Sequence, residues 1–414
     1  MFTNHEFIVV SWSSATTTGS SADIWDVKFP ILAISASYLR RASTKKMFYK
    51  QLAKYIAWEV GVLMVGTLPY RGFADEEFAD EYFKAHGGDP IADGFQACYF
   101  GMKHDRKARR EVHNFKRYYG STFMCDGCFA VYLNKLGPAE LAFHNFSPAA
   151  FWRLTCLDHE NYLAMTADLS PFVEVPGFRL ETAFGDIMHD FYMGPAGDAI
   201  ANGLVEMQEG GLIVDPSGAP FPSADDAYSA VQADMRKWFR VQGVSSPAVS
   251  ISQSTLNRTK KTEYPELSSK FKATHVKYMV FYMADLTKRL CGNDVKSKLR
   301  AALFWGMATF ISVLDSSGRW LTPAQIQEAQ SGGNMFLQCF AKLAELAFAN
   351  HMCLWKLRPK LHYVDHHIMF TACGWNAKHF HAFLEEDFLG KLARLGRRCA
   401  RKTLSMRFLQ RYFC

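Results

Sequence analysis

Cys125 and Cys128 stand in the spacing C-x-x-C, from which a tight turn can present two thiolates to one Zn²⁺. His144, Cys156 and His159 follow as sources of the remaining ligands. Cys125, Cys128, Cys156 and His159 together make a Cys₃His set suited to a structural zinc. A redox-active pair is the competing chemistry, although no thioredoxin-like strand-to-helix context surrounds it. Two half-buried thiols without metal are the plain alternative.

Three further groups carry usable chemistry. Asp186-Ile-Met-His189 lies where an apolar stretch, Phe178–Phe184, meets a helical pattern. Residues three apart share a helix face, so this pair can hold a divalent cation or orient an attacking water. Asp186 can equally cap the helix, leaving His189 in the core. Asp105 stands among Lys103, Arg106, Lys107, Arg109 and Arg110, either as a metal ligand beside a phosphate track or as an exposed ion-pairing residue. His362 and His366 are one helical turn apart and can share a metal or a ligand. No glutamate separates them in the H-E-x-x-H manner, which disfavours a protease. A metal-dependent hydrolase built on Asp186, His189 and this histidine pair is one reading, and a core helix with polar caps is another.

The carboxy terminus is distinctly basic. After Glu385-Glu386-Asp387 come Lys391, Arg394, Arg397, Arg398, Arg401, Lys402, Arg407 and Arg411, with no further acid. Lys391, Arg394, Arg398 and Arg401 line up on one helix face, with Leu389, Leu392 and Leu395 on the apolar side. By composition this ridge suits phosphates; an acidic protein or a lipid surface would suit it too. The chain has no P-loop, no G-x-G-x-x-G after a strand and no G-x-S-x-G elbow. Those absences argue against P-loop NTPases, dinucleotide-dependent dehydrogenases and α/β-hydrolases.

The elements that must position these residues follow from length and pattern. The 414 residues are 49% hydrophobic and 21% charged, include 34 Phe, and carry a net charge of +7. That is a globular composition, too long for one core. Neither Ala301–Leu314 nor the run near Tyr55–Leu68 reaches the ~18–20 residues of a membrane span. No Lys or Arg precedes the apolar patch Phe7–Val10, so secretion is not expected. The pattern predicts a loose leader over 1–21, a mixed α/β region over 22–235 and a flexible Ser/Thr/Asn-rich linker over 236–267. A helical region over 268–414 completes it. Strands are predicted at Phe95–Met102 and Phe178–Phe184. Helices are predicted near 43–65, 187–208, 268–290, 295–315, 322–356, 361–369, 377–398 and 404–413.

Taken in order, Asp105, Cys125-x-x-Cys128, His159, Asp186-x-x-His189, Arg-Pro-Lys-Leu-His362 and the helix Glu386–Arg397 resemble the CACTA (En/Spm-like) branch of cut-and-paste DNA transposases. The resemblance spans roughly residues 90–414 at motif level. It implies an RNase H-like mixed sheet core with a zinc-type C-x-x-C insertion, followed by a largely helical second half. Asp105, Asp186, His189 and Glu386 would be catalytic, using Mg²⁺ or Mn²⁺ if strand cleavage survives, and Zn²⁺ would be structural. Arg106, Lys107, Arg109, Arg110, Lys391, Arg394, Arg397, Arg398 and Arg401 would bind DNA. The first core carboxylate would precede Asp105, where Asp23 and Asp26 stand. Arg401-Lys402-Thr403 replaces the Pro-Glu often found there, which marks a degenerate or truncated member. DNA as partner and the nucleus, otherwise the cytoplasm, as location follow, with homo-oligomerisation open. A zinc-stabilised helical scaffold binding a protein partner without catalysis is the alternative.

Overall fold

The computed structural model describes residues 7–12, 29–132, 137–245, 247 and 249–413. In chain order the elements are β1 (Phe7–Trp12), β2 (Phe29–Ser35), α1 (Ala42–Val65), α2 (Glu81–His86), β3 (Met102–His104), α3 (Arg106–Glu111), α4 (His159–Met165) and β4 (Ala183–Gly185). A helical segment, Met188–Ala196, kinked at Met193 and Gly194, runs into α5 (Gly197–Glu209). Then come α6 (Ala224–Val241), α7 (Ala273–Arg289), α8 (Val295–Ser316), α9 (Pro323–Ala349), α10 (Pro359–Phe370), α11 (Phe383–Arg397) and α12 (Leu404–Phe413). These fall into two compact units that interleave along the chain. The first takes Met1–Lys116, Leu157–Phe184 and Ala382–Cys414, and the second Arg117–Cys156 and Gly185–His381.

In the first unit, β1 pairs antiparallel with β2, Phe7 opposite Ser35 and Trp12 opposite Phe29. Residues expected to form a loose leader therefore include a strand, because FIVVSW finds a partner that no local pattern reveals. Helix α1 ends at Gly66, whose left-handed φ of 76° lets its N–H close on Val62 O. Leu52 and Ala53 of α1 are buried; Ala53 joins Phe115, Tyr162, Phe172 and Phe178 in one core. The strand expected over Phe95–Met102 is confined to β3, and that over Phe178–Phe184 to β4, which pair with each other. Gly101 makes this close pairing feasible: a Cβ there would lie 2.4 Å from the Phe184 ring and 2.6 Å from Thr182 O. The chain's end also belongs here. Phe388, Leu392, Leu404 and Phe408 bury against Ala33 of β2.

In the second unit α8 and α9 approach until backbones touch. A Cβ on Gly306 would sit 2.6 Å from Gly332 O, and one on Gly332 2.7 Å from Gly306 O. Asp294 caps α8 by accepting from Ser297 N at 2.9 Å. Thr322 and Gln325 cap α9 reciprocally, with Pro323 in its first turn. Helix α9 stops at Ala349, short of the expected Lys356, where His351 takes a φ of 54°.

The expected flexible linker over 236–267 is a pinned structure. Helix α6 continues through its start to Val241. Beyond, Arg258 is 5% exposed and donates to the Glu209 carboxylate (3.0 Å) and to the carbonyls of Lys261 (2.7 Å) and Cys353 (3.2 Å). Ser252 and Thr255 build the local turns with their own hydroxyls. Such a loop has no hydrophobic period, and its polar composition imitates a linker. The overall character is mixed α/β with a largely helical second half; the described strands make two two-stranded sheets.

Candidate metal centre

Four side chains from two distant segments of the second unit converge: Cys125, Cys128, His362 and His366, with ligand atoms all within 4.8 Å of one another. Two come from a turn and two from α10. Met124 N donates to Ala130 O at 2.9 Å, closing the turn, and Gly127 N donates to Cys125 Sγ at 3.3 Å. Phe129 N donates to Thr155 Oγ1 at 2.9 Å, tying the turn to the segment that carries Trp152. On α10, spacing of i and i+4 puts His362 and His366 on one face. Tyr363 donates from its hydroxyl to Met124 O at 2.9 Å, fastening the helix to the turn. Trp152 backs the site, its ring 4.3 Å from that of His362 and 5.4 Å from that of His366.

The separations fit one tetrahedral ion. His366 Nε2 lies 3.3 Å from Cys125 Sγ, 3.4 Å from Cys128 Sγ and 3.1 Å from His362 Nε2, and His362 Nε2 lies 3.3 Å from Cys128 Sγ. Zinc bonds of ~2.3 Å to sulfur and ~2.0–2.1 Å to nitrogen require about 3.5 Å between S and N and about 3.3 Å between two N. These four separations agree within a few tenths of an ångström.

Electrostatics suit a cation. The Cys128 hydrogen bond holds the Cys125 thiol well below the usual range, helped by His366 and His362 against the effect of burial. Burial and the neighbouring sulfur push Cys128 up. A divalent ion would take the place of the proton on Cys128. Beside the site, Arg153 donates to Asp365 at 2.6 Å; burial raises the Asp365 pKa to about 6, against the pull of Arg153 and His366. A Cys₂His₂ set with three members buried has no open position for water, so it suits structural zinc and not hydrolysis.

The structure thus brings Cys125 and Cys128 together with the histidine pair, and not with Cys156 and His159. Cys156 is exposed and outside the four-atom cluster. His159 belongs to the first unit, where its Nδ1 accepts from Leu180 N at 3.2 Å. His144 is likewise outside the cluster. The signal that identifies His362 and His366 was present as their one-turn spacing; what it lacked was any indication of the partner.

Asp186 and His189 do pair, the carboxylate on the ring Nδ1, with Asp186 1% exposed and also accepting from Met188 N at 2.9 Å. Both belong to the second unit, and neither is a member of the metal cluster. A second buried pair follows: His367 Nε2 stands 3.1 Å from Asp190 Oδ2. A Cβ on Gly185 would come within 3.1 Å of that carboxylate, so the strand end packs tightly against this pair.

In the first unit Asp105 caps α3, accepting from Ala108 N at 2.6 Å. Arg109 is buried, not presented to a ligand: it donates to Ala183 O at 3.0 Å and lies 4.4 Å over the Phe115 ring. Lys107 and Arg110 are exposed and Arg106 half-buried. Arg394, Arg397 and Arg398 are exposed and Lys391 half-buried. The side chains of Glu386 and Arg401 lie outside the described residues, as do Asp23 and Asp26. Among the described residues the Cys₂His₂ group is the one place where three or more such ligands converge, and no helix is long and apolar enough to cross a membrane. Comparison of the chain with family models, curated proteins and solved structures returns no match.

Proposed function

We propose that this chain is a zinc-pinned DNA-binding protein of CACTA-transposase descent. The observation that carries the reading is a field of unneutralised cations at the carboxy terminus. Arg394, Arg397, Arg398, Lys402, Arg407 and Arg411 are exposed, and none has a carboxylate partner among the described residues. Their helices are anchored from behind by Phe388, Leu392, Leu404 and Phe408, so the charges stand on a fixed surface. Fixed, unpaired cations favour a polyanion, and each phosphate they neutralise adds to the salt dependence of binding.

The metal centre supports descent of this kind, since it joins the C-x-x-C turn to the Arg-Pro-Lys-Leu-His helix, two motifs whose order the resemblance uses. The reading carries an RNase H-like core, to which β1–β4 would contribute. It also carries a requirement for Mg²⁺ or Mn²⁺ wherever cleavage survives. Asp105 is engaged as a helix cap, so we propose binding without strand cleavage.

The test is a salt-titrated duplex DNA-binding assay with and without Mg²⁺ or Mn²⁺, inspected for nicks. Replacing Arg394, Arg397 and Arg398 together by Gln should reduce the slope of log K against log salt by up to about three units. An unchanged slope removes the tail from the interface. Absence of any DNA affinity leaves the zinc-stabilised scaffold for an acidic protein partner. Metal-dependent nicking abolished by Asp186→Asn would restore the catalytic reading.

A further inference from the structure

A cavity of about 360 Å³ lies within the second unit, walled by the end of α5 and the start of α8. That is the small end of the ordinary range for ligand pockets, about 300–1,000 Å³. Half-buried Leu212 and Met352 supply apolar lining. The rest of the lining is largely charged, and what matters is which of those charges are already satisfied.

Two acids are spent. Glu206 accepts from Arg300, itself 3% exposed, at 2.6 Å. Glu209 accepts from Arg258 with both carboxylate oxygens, at 3.0 and 3.2 Å. Each pair cancels its own charge. Asp294 stays ionised: hydrogen bonds from the Ser297 hydroxyl and N–H, the latter at 2.9 Å, hold its carboxyl below the usual range. Against this one acid stand two cations, exposed Lys261 and half-buried Lys296, both lining the cavity. Neither ammonium has an ion-pair or hydrogen-bond partner among the described residues. Withdrawing part of an ammonium from water without a partner is unfavourable, and an anion entering the cavity would relieve it.

We propose that this cavity binds a small phosphate monoester, its dianion held by Lys261 and Lys296 and its organic part against Leu212 and Met352. The free cations are lysines, compact point charges that suit a phosphate. The arginine forks that would match a planar carboxylate are occupied by Glu206 and Glu209. A dianion also outweighs the single opposing charge of Asp294. The inference goes beyond nucleic-acid binding and does not rest on it.

The experiment titrates the full-length, zinc-loaded chain with phenyl phosphate in a calorimeter, with benzoate and inorganic phosphate as comparisons. Phenyl phosphate should saturate in the low millimolar range or tighter, as suits so small a ligand. Benzoate and inorganic phosphate should each bind at least about five-fold more weakly, lacking the second charge or the apolar contact. Lys296→Gln should weaken phenyl phosphate about ten-fold through loss of a charge-assisted hydrogen bond. Asp294→Asn keeps the helix cap and removes the opposing charge, so it should tighten binding about two-fold. Thermal midpoints of both variants should stay near that of the parent. No saturable binding, benzoate bound as well as phenyl phosphate, no loss in Lys296→Gln, or weaker binding in Asp294→Asn would each overturn the site. Replacing Lys261 and Lys296 together by Gln should leave duplex DNA binding within about two-fold of the parent's. A loss of duplex affinity as large as the loss for phenyl phosphate would assign the lysines to a polynucleotide backbone and overturn the small-ligand site.

Discussion

Each unit of this molecule sets two histidine rings side by side, and the two pairs have opposite fates. In the first unit His104 and His113 are 5% and 7% exposed, with ring centroids 5.0 Å apart. Their neighbour is a cation, Arg109, 3.3 Å from His104 Nε2, and the Nδ1 atoms of both are buried without a hydrogen-bond partner among the described residues. Burial and Arg109 drive His104 well below the ordinary range and lower His113 to about 3. These rings are neutral packing elements. In the second unit His362 and His366 point the same type of ring at two sulfurs. Close approach of two imidazoles is common to both; convergence with two cysteine sulfurs separates a candidate metal site from a packed core.

The largest effect that tests this contrast is loss of metal. Cys125→Ser, or chelation, should release zinc and lower the thermal midpoint by on the order of 10 °C, since structural zinc contributes several kcal/mol or more. Unchanged metal content by elemental analysis would break the comparison at its centre. The ligand assignment sharpens it further. His362→Ala should lose the metal as Cys125→Ser does, while Cys156→Ser and His159→Ala should keep one equivalent. Metal loss from either of the latter would restore the Cys₃His set.

The first unit should answer to acid. The folded His113 pKa lies below the unfolded value of about 6.5, so the unfolded chain takes up the proton first. Stability is then complete above about pH 6.5 and declines as pH falls toward 3, by about 1.4 kcal/mol per pH unit for this group. Urea midpoints at pH 7 and pH 5 should show the decline, and His113→Phe should flatten it. An equal pH dependence in the variant would mean that His113 is not held neutral. The smallest effect belongs to Asp105. As a helix cap its replacement by Ala should cost about 1 kcal/mol and leave zinc content untouched. A loss of DNA affinity larger than that stability change would give it a role beyond capping.

Much of the second half was legible because helices announce themselves locally. Val295–Ser316 and Leu404–Phe413 fall within a residue of their predicted bounds, and the caps at Asp294 and Thr322 are sequence signals with a mechanism. Short strands were not legible. β3 and β4 are three residues each and exist by pairing across some eighty positions, which no local period encodes. The loop around Arg258 misled for a related reason: its order comes from contacts with Glu209 and Cys353, far away in the chain.

The metal centre divides along the same line. Residue type and spacing alone determined that Cys125 and Cys128 can share an ion, that His362 and His366 face one way, and that the carboxy-terminal helices are cationic. Those are properties of a turn or of one helical repeat, fixed within a few residues. Which pair meets which, and that Asp105 is spent on a cap and Arg109 on a core, were decided by tertiary packing. Such pairings depend on how distant apolar faces find cover, and that competition is settled only when the whole chain has folded.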